Sequence, residues 1–329
     1  MNPLIDSYIQ YVSTVHRYSP RTQAVYREVL EGYAGYSLED PGDGDALAES
    51  MIPAAVRNYE VHLMEDRKLG SRTVNLHLSV LSGFCRFLTT RGLLKSNPVR
   101  LVTRPKTEKR LPEFYRDEAI ERYLKDTEHA ASEDELELLM SLDPEKDPLA
   151  RTLYERRLRR LTVSLLHAAG LRRAELASLD ASNLDTSRNI LKVRGKGDKM
   201  RDVPLVPALI TELERYQRAA EAFFGGAPAA GDPLLRTPSG RRLYPVYIDR
   251  AVKAELGGVP GITGRKSPHV LRHTLATELL NDGSDLNAIK ELLGHSSLAA
   301  TQVYTHNSVE RLKAVYDKAH PRAKDPEGK

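Results

Sequence analysis

A chain of 329 residues is longer than a typical single domain and predicts two. Its net charge of +4 and isoelectric point near 8.9 are only mildly basic, so bulk charge alone does not establish a nucleic-acid partner. The single cysteine, Cys85, excludes an intrachain disulfide framework and a cysteine-based metal cluster, and the lack of a long apolar run or N-terminal signal pattern predicts a soluble, cytoplasmic protein without a membrane partner.

Residues 1–95 predict a small helical domain. Its first helix is marked by apolar residues at helical spacing, namely Leu4, Ile5, Tyr8, Ile9 and Val12. Further helices are predicted after Ser19–Pro20, over Pro53–Met64 and over Ser71–Thr90. The last of these is too rich in apolar residues for one exposed face, so we expect it at the centre of the domain, with Cys85 as a small buried hydrophobe.

Charged segments follow this domain. Residues 96–111 hold Pro98, Pro105 and several cations without a clear period, which predicts an interdomain linker. Residues 95–110 carry six basic residues and one acidic one, and residues 151–160 carry five arginines and one glutamate. Such clusters suit a polyphosphate ligand, a solvated surface being the alternative. Residues 127–148 are acidic, so we expect them to lie away from any anionic partner.

Residues 112–329 predict a second, mixed domain. An arginine-rich helix over Thr152–Leu166 precedes the sequence Gly170-Leu171-Arg172, and residues 190–205 predict short strands with turn signals at Gly195 and Gly197. The chain beyond residue 207 is again mainly helical, apart from a Gly- and Pro-rich loop over 227–240. The predicted fold is therefore mainly α with a small antiparallel β-hairpin or sheet.

The stretch from Ser267 to Thr274 contains the strongest chemical signal. Ser267 is a good N-cap and Pro268 suits the first helical position. His269 and Arg272 are three apart and therefore share one helix face, where the free N–H groups of the first turn also favour an anion. Leu293-Gly294-His295 follows, with Tyr304 nine residues after that histidine. Two cationic donors, a second histidine and a tyrosine suit attack on a phosphodiester without a metal.

This ordered set resembles the C-terminal signature of the tyrosine recombinases, the phage integrase family. The Gly-Leu-Arg sequence at 170–172 and the predicted hairpin around Lys196 resemble two further elements of the family, in the family's order and with similar spacing. Residues 71–106 resemble its small helical domain that clamps DNA. The resemblance thus implies an N-terminal helical core-binding (SAM-like) domain and an α+β catalytic domain. The acidic residues 127–148 depart from the compact family pattern, so we interpret them as an insertion.

The resemblance also implies a role for each motif residue. Two arginines stabilise the non-bridging oxygens of the phosphate, a lysine on the hairpin protonates the leaving 5′ oxygen, and one histidine assists proton transfer while the other bonds the phosphate. A tyrosine attacks, and a 3′-phosphotyrosine intermediate forms. In this chain the predicted catalytic residues are Arg172, Lys196, His269, Arg272, His295 and Tyr304. Glu175 is predicted to orient Arg172, His273 to support the site, and no metal or other cofactor is expected.

Alternatives accompany these assignments. Lys199 and Arg201 compete with Lys196, and either catalytic arginine could be an ordinary buried ion-pair partner. The rivals of the proposed nucleophile are Tyr244, Tyr247 and Tyr316. His269 and His273 have the spacing of a zinc helix, but the glutamate expected after the first histidine is replaced by valine.

Contacts to the DNA backbone are predicted at helix starts and in the linker of the N-terminal half. Side-chain donors and helix N-termini commonly meet phosphates. The predicted residues are Arg21, Thr22, Ser71, Arg72, Thr73 and Lys106. Helix capping explains the serine and threonines equally well.

The leading functional prediction is a site-specific DNA recombinase, most similar to the Xer-type enzymes, which implies resolution of chromosome dimers and a nucleoid-associated location. The implied partners are double-stranded DNA with a specific recombination site, a homo- or hetero-tetramer assembled on it, and a septal DNA translocase. A terminal amphipathic helix over 307–320 would dock on a neighbouring subunit or on its own domain. The alternatives are an integrase or invertase of a mobile element, a type IB topoisomerase, and a non-catalytic DNA-binding protein.

Overall fold

The chain divides into two compact units, Met1–Arg110 and Leu111–Lys329. The computed structural model describes residues 2–107, 113–195 and 198–294. Helices dominate both units, and one small sheet belongs to the second. The predicted fold class, mainly α with a small antiparallel sheet, is confirmed. No helix among the described residues is both long and apolar enough to cross a lipid bilayer.

The first unit is a bundle of helices. They are α1 (Pro3–Thr14), α2 (Pro20–Ser37), α3 (Gly44–Ser50), α4 (Pro53–Glu65) and α5 (Ser71–Thr90), followed by a short 3-10 helix at Pro98–Leu101. Side-chain caps and proline at the first position set several helix starts; Asn2, for example, accepts hydrogen bonds from the N–H groups of Leu4 and Ile5. The sequence did not predict α3.

Helix α5 forms the centre of this unit, as its composition predicts. Side chains from several of its faces are fully buried, among them Leu78, Leu81 and Phe84. Cys85 is fully buried too, and burial raises the pKa of its thiol to about 12. The thiol is therefore a packing group rather than a nucleophile.

The second unit is built around one long helix. Its helices are α6 (Asp117–Asp126), α7 (Glu133–Met140), α8 (Pro148–Ala168), α9 (Arg173–Ala177), α10 (Pro207–Phe224), α11 (Pro245–Leu256), α12 (Pro268–Asn281) and α13 (Leu286–Leu293), with 3-10 turns at Glu128–Ala131 and Ala181–Asn183. Helix α8 packs against α7, α10, α11 and α12. Burial on nearly all sides explains why its sequence shows only a weak polar face.

Burial removes two of the five arginines of residues 151–160 from the predicted polyphosphate-binding cluster. Arg157 and Arg160, three apart on the inward face of α8, expose only 1% and 3% of their surface. Arg160 forms an ion pair with Glu212, and the Nη2 of Arg157 donates to the carbonyl of Ser132 at 2.8 Å. Helix periodicity turns these two guanidinium groups into the core, so the prediction is wrong for Arg157 and Arg160 and stays a prediction for the other three arginines.

The acidic segment over 127–148 packs into the same core. Leu136 and Leu139 on α7 are buried, while Glu133 is paired with Arg215 and Arg218 on α10. Its apolar face and the Glu133 carboxylate thus both have partners within the unit. Its status as an insertion stays a prediction.

The sheet has the order β1-β2-β3 and is antiparallel throughout. The strands are β1 (Leu184–Asp185), β2 (Ile190–Arg194) and β3 (Met200–Pro204). In the hairpin of β2 and β3, Arg194 pairs with Met200 and Val193 with Arg201. The N–H of Gly195 donates to the carbonyl of Lys199 at 2.7 Å and closes the turn. The predicted strands over 190–205 are present, and β1 adds a short edge.

Candidate active site

The Gly170–Arg172 turn begins the site, directly after α8 ends. Gly170 has φ +57°, and a Cβ placed there would lie 2.7 Å from Leu293 Cδ2 and 2.9 Å from Leu275 Cδ2. Only glycine allows both this backbone conformation and this contact. The turn therefore sits tightly against α12 and α13.

Arg172 is the residue immediately before α9, and Glu175 lies in the first turn of that helix. The backbone N–H of Arg172 donates to Glu175 Oε2 at 2.8 Å, and its Nη1 donates to Oε1 at 2.6 Å. The Arg172 side chain keeps 32% of its surface exposed, whereas that of Glu175 keeps 5%. A buried carboxylate thus holds a guanidinium that stays partly exposed and can face a ligand. The orienting role of Glu175 in catalysis stays a prediction.

Arg272 approaches the same carboxylate from α12. Its Nη1 lies 4.0 Å from Glu175 Oε2 and donates to the carbonyl of Gly170, while its Nη2 donates to the carbonyl of Leu293. Burial, reinforced by the charge of Arg172, lowers the pKa of Arg272 to about 10, so it stays protonated at neutral pH. The two predicted catalytic arginines therefore converge.

Arg201 on β3 completes this cluster, with 5% of its side chain exposed. Its Nη1 and Nη2 each donate to a different oxygen of Glu175 at 2.9 Å. Burial alone would raise the pKa of Glu175, but the hydrogen bonds and charge of Arg201, with those of Arg172, lower it to about 2. Three guanidinium groups thus share one carboxylate, which leaves a net positive charge suited to a phosphate.

The C-terminal end of α13 also borders the arginine cluster. Gly294 ends the helix in the left-handed conformation, with φ +63°. The carbonyl of Gly294 accepts from Arg172 Nη2 at 2.8 Å, and that of Leu292 accepts from Arg201 Nε at 3.1 Å. The negative dipole end of the helix thereby orders the guanidinium groups immediately before His295.

His269 lies at the start of α12 on the exposed side, three residues before Arg272. Ser267 holds the N-cap position without a side-chain cap bond, and Pro268 is the first helical residue, as predicted. Partial burial, followed by the charges of Arg173 and His273, lowers the pKa of His269. Its imidazole is therefore neutral at pH 7 and can accept a proton. His273 is also exposed.

Lys196, His295 and Tyr304 lie outside the described residues, as do Tyr316 and the predicted helix over 307–320. Among the alternatives, Arg201 is paired with Glu175 and so is poorly placed to act as the general acid. Tyr247 is half-buried, and burial raises its pKa to about 12. Tyr244 is 47% exposed.

The sequence did not predict that Arg201 pairs with Glu175 in the arginine cluster. A signal was available, because strand alternation puts Arg201 on the same face as the buried Val203. An arginine on the inward face of a short strand predicts a buried carboxylate partner.

These geometric relations can be set beside known proteins. Residues 130–311 match the model of the phage integrase family. The chain belongs to this family. The match spans most of the acidic segment and all of the motif residues, including those outside the described ranges. Family and enzyme class are as the motifs predict: a tyrosine recombinase, which breaks and rejoins DNA strands.

Curated relatives in the family resemble nearly the whole chain. Tyrosine recombinase XerC of Chlorobaculum parvum is 33% identical over 325 residues, an alignment that covers 97% of this chain and 94% of the relative. Tyrosine recombinase XerC of Escherichia coli O157:H7 is 31% identical over 320 residues and 97% of each chain.

Solved structures in the family share the fold at low identity. A lambda integrase (75–356) dimer bound to a COC′ core site aligns with TM-score 0.60 and 17% identity, over 92% of this chain and 97% of that one. The Tn1549 transposon integrase in complex with circular-intermediate DNA aligns with TM-score 0.60 and 18% identity, over 94% and 99%. These likenesses bear out the predicted fold.

The predicted DNA contacts of the first unit lie at exposed or half-buried positions. In α2, the Ser19 hydroxyl accepts from the N–H of Thr22 at 3.3 Å, so capping explains that helix start. In α5, Gly70 is the N-cap and provides no side-chain cap, which leaves residues 71–73 as the first turn. Capping therefore explains α2 better than α5, and all six contacts stay predictions.

Proposed function

We propose that this chain recombines DNA at a specific site through a 3′-phosphotyrosine intermediate, in an Xer-like housekeeping role. The observation that carries the proposal is the convergence of Arg172 and Arg272 on Glu175 and on the last carbonyls of α13. The buried carboxylate and the backbone carbonyls hold both guanidinium groups in place before any substrate binds. Phosphate recognition therefore needs little rearrangement.

The proposed chemistry exchanges one phosphoester for another. The Tyr304 oxygen bonds to phosphorus as the bond to the 5′ oxygen breaks, and Lys196 supplies the proton that the leaving oxygen takes. His269, neutral at pH 7, receives the tyrosine proton, and His295 bonds a phosphate oxygen. Arg172 and Arg272 stabilise the charge that develops on the non-bridging oxygens. Rejoining runs the same steps in reverse, so neither metal nor other cofactor is required.

Several observations support the finer parts of the proposal. Curated XerC relatives align along almost the full chain, which favours chromosome-dimer resolution over integration or inversion by a mobile element. A lambda integrase tetramer bound to a Holliday junction shares the fold, in line with a tetramer on double-stranded DNA. A septal DNA translocase as partner, a nucleoid-associated location, and docking of residues 307–320 on a neighbouring subunit complete the proposed role.

The domain plan is part of the proposal. Residues 1–95 would clamp DNA, 96–111 would link the units, and 112–329 would carry the chemistry. The contacts to the DNA backbone are proposed at Arg21, Thr22, Ser71, Arg72, Thr73 and Lys106. A buried α5 core beneath exposed helix starts is consistent with such a clamp.

A nicked suicide duplex tests the reaction, using a site selected by the wild-type chain from a randomised duplex pool. We expect a covalent protein–DNA adduct with wild-type protein and none with Tyr304→Phe at equal DNA binding. Recombinant products from a plasmid with two selected sites would distinguish a recombinase from a topoisomerase. Tight binding without any adduct would instead identify a non-catalytic DNA-binding protein.

A further inference from the structure

Arg201 is a buried member of the cluster whose hydrogen bonds join its own strand, β3, to α9 and to the end of α13. Its Nη1 and Nη2 hold both oxygens of Glu175, and its Nε holds the carbonyl of Leu292 at the end of α13. A guanidinium with three separate anchors on two other elements is fixed in position and in plane.

Two glycines pack against the same side chain. A Cβ on Gly294 would lie 3.1 Å from Arg201 Nη1 and 3.3 Å from its Cδ, and one on Gly195 would lie 3.7 Å from Nη1. In the sequence, Gly195 directly precedes Lys196 and Gly294 directly precedes His295. The Arg201 side chain therefore lies beside Gly195 and Gly294, the last described residues before Lys196 and before His295 in the sequence.

We propose that Arg201 is a positioning residue for strand cleavage, which fixes Glu175, and through it Arg172, while it holds the hairpin turn and the end of α13 together. The inference rests on the proposed function. It assigns Arg201 no contact with DNA and no proton transfer. Its action is to keep the groups that meet the phosphate in one geometry, where a displacement of about 1 Å can cost about 100-fold in rate.

Neither methionine nor lysine can replace these contacts. Methionine removes the charge and all three hydrogen bonds, whereas lysine keeps the charge but cannot hold two Glu175 oxygens and the Leu292 carbonyl in one plane. Without Arg201, the charges facing Glu175 are Arg172 and, at 4.0 Å, Arg272, so its pKa rises from about 2. The carboxylate then takes up a proton at a higher pH than in the wild type and releases Arg172.

The test measures single-turnover cleavage of the selected nicked duplex by the full chain, normalised to the folded fraction. We expect Arg201→Met to slow cleavage about 100-fold and Arg201→Lys about tenfold. DNA affinity should be unchanged, since the proposal gives Arg201 no contact with DNA. The Arg201→Met rate should fall further as the pH is lowered from 8 to 5, to a greater extent than the wild-type rate. Adding Glu175→Gln to Arg201→Met should cause little additional loss.

The matched control is Arg160→Met, which removes another buried arginine from an ion pair of equal burial, that with Glu212. Its folded fraction should cleave at the wild-type rate, and if Arg201→Met does not fold, Arg201→Lys carries the comparison. If the Arg201 variants cleave at the wild-type rate with the wild-type pH profile, or if Arg160→Met loses as much cleavage activity as Arg201→Met, this inference is overturned and the proposed function is not. A wild-type chain that forms no adduct would overturn the proposed function and this inference together.

Discussion

Glu175→Gln is the sharpest test of the arginine cluster, because it removes the carboxylate that Arg172, Arg201 and Arg272 share. The fall in the pKa of Glu175 from 4.5 to about 2 corresponds to about 3 kcal/mol of folding free energy, at 1.36 kcal/mol per pKa unit. Breaking a buried pair costs a similar amount, about 3–5 kcal/mol. We expect Glu175→Gln to lower the free energy of unfolding by about 3 kcal/mol at pH 7.

Urea unfolding measures this loss of stability. Circular dichroism serves as the signal, because the chain contains no tryptophan for a fluorescence measurement. Hydrogen exchange of the α12 amides reports the second unit separately. Because the folded pKa is depressed, the stabilisation is present above pH 4.5 and is lost as the pH falls towards about 2, so wild type and variant should converge over that window.

The control is Glu133→Gln, since Glu133 is a partly exposed carboxylate paired with Arg215 and Arg218, and it should lose far less stability. The predicted role of the Glu175 carboxylate in stability would be refuted by either of two results. One is a loss of unfolding free energy in Glu175→Gln below about 1 kcal/mol at pH 7, and the other is a loss that stays the same between about pH 6 and pH 3.

Three further variants test other parts of the second unit. Gly170→Ala should lower the melting temperature, because the new methyl group would lie 2.7 Å from Leu293 and 2.9 Å from Leu275, and the φ of +57° strains any residue but glycine. An unchanged melting temperature would contradict the close packing of the turn. The wild-type cleavage rate should persist below pH 6.5 and then fall as the pH is lowered through the depressed pKa of His269. His269→Gln should slow cleavage about 100-fold and abolish this inflection in the plot of rate against pH. Retention of the inflection in the variant would remove His269 from the proton transfer. Arg157→Met should leave the free energy of unfolding in urea unchanged or increase it. Arg157 is buried, its Nε and Nη1 have no hydrogen-bond partner among the described residues, and burial lowers its pKa to about 10. A loss above about 3 kcal/mol would show that its charge is needed in the core.

Local sequence rules predicted the elements well where the cause is local. Proline at the first helical position and apolar spacing located α1, α5 and the start of α12, and glycines located the hairpin turn. The short helix α3 was missed because seven residues give too little periodicity.

The arginines show where sequence reasoning fails. Residues 151–160 look like a cationic surface, yet Arg157 and Arg160 are core residues. Arg201 looks like one cation among several in a hairpin, yet it is bound to a carboxylate 26 positions earlier in the chain. Charge composition does not state which arginine has a distant carboxylate partner, and that partner decides whether its charge faces solvent or core.

Residue type and spacing along the chain were enough to predict the family and to name the motif residues. They gave no sign that Glu175 pairs with three arginines, or that the last carbonyls of α13 accept hydrogen bonds from the same guanidinium groups; the folded chain shows both. A buried charge needs partners on every side, and folding brings those partners from segments far apart in the chain.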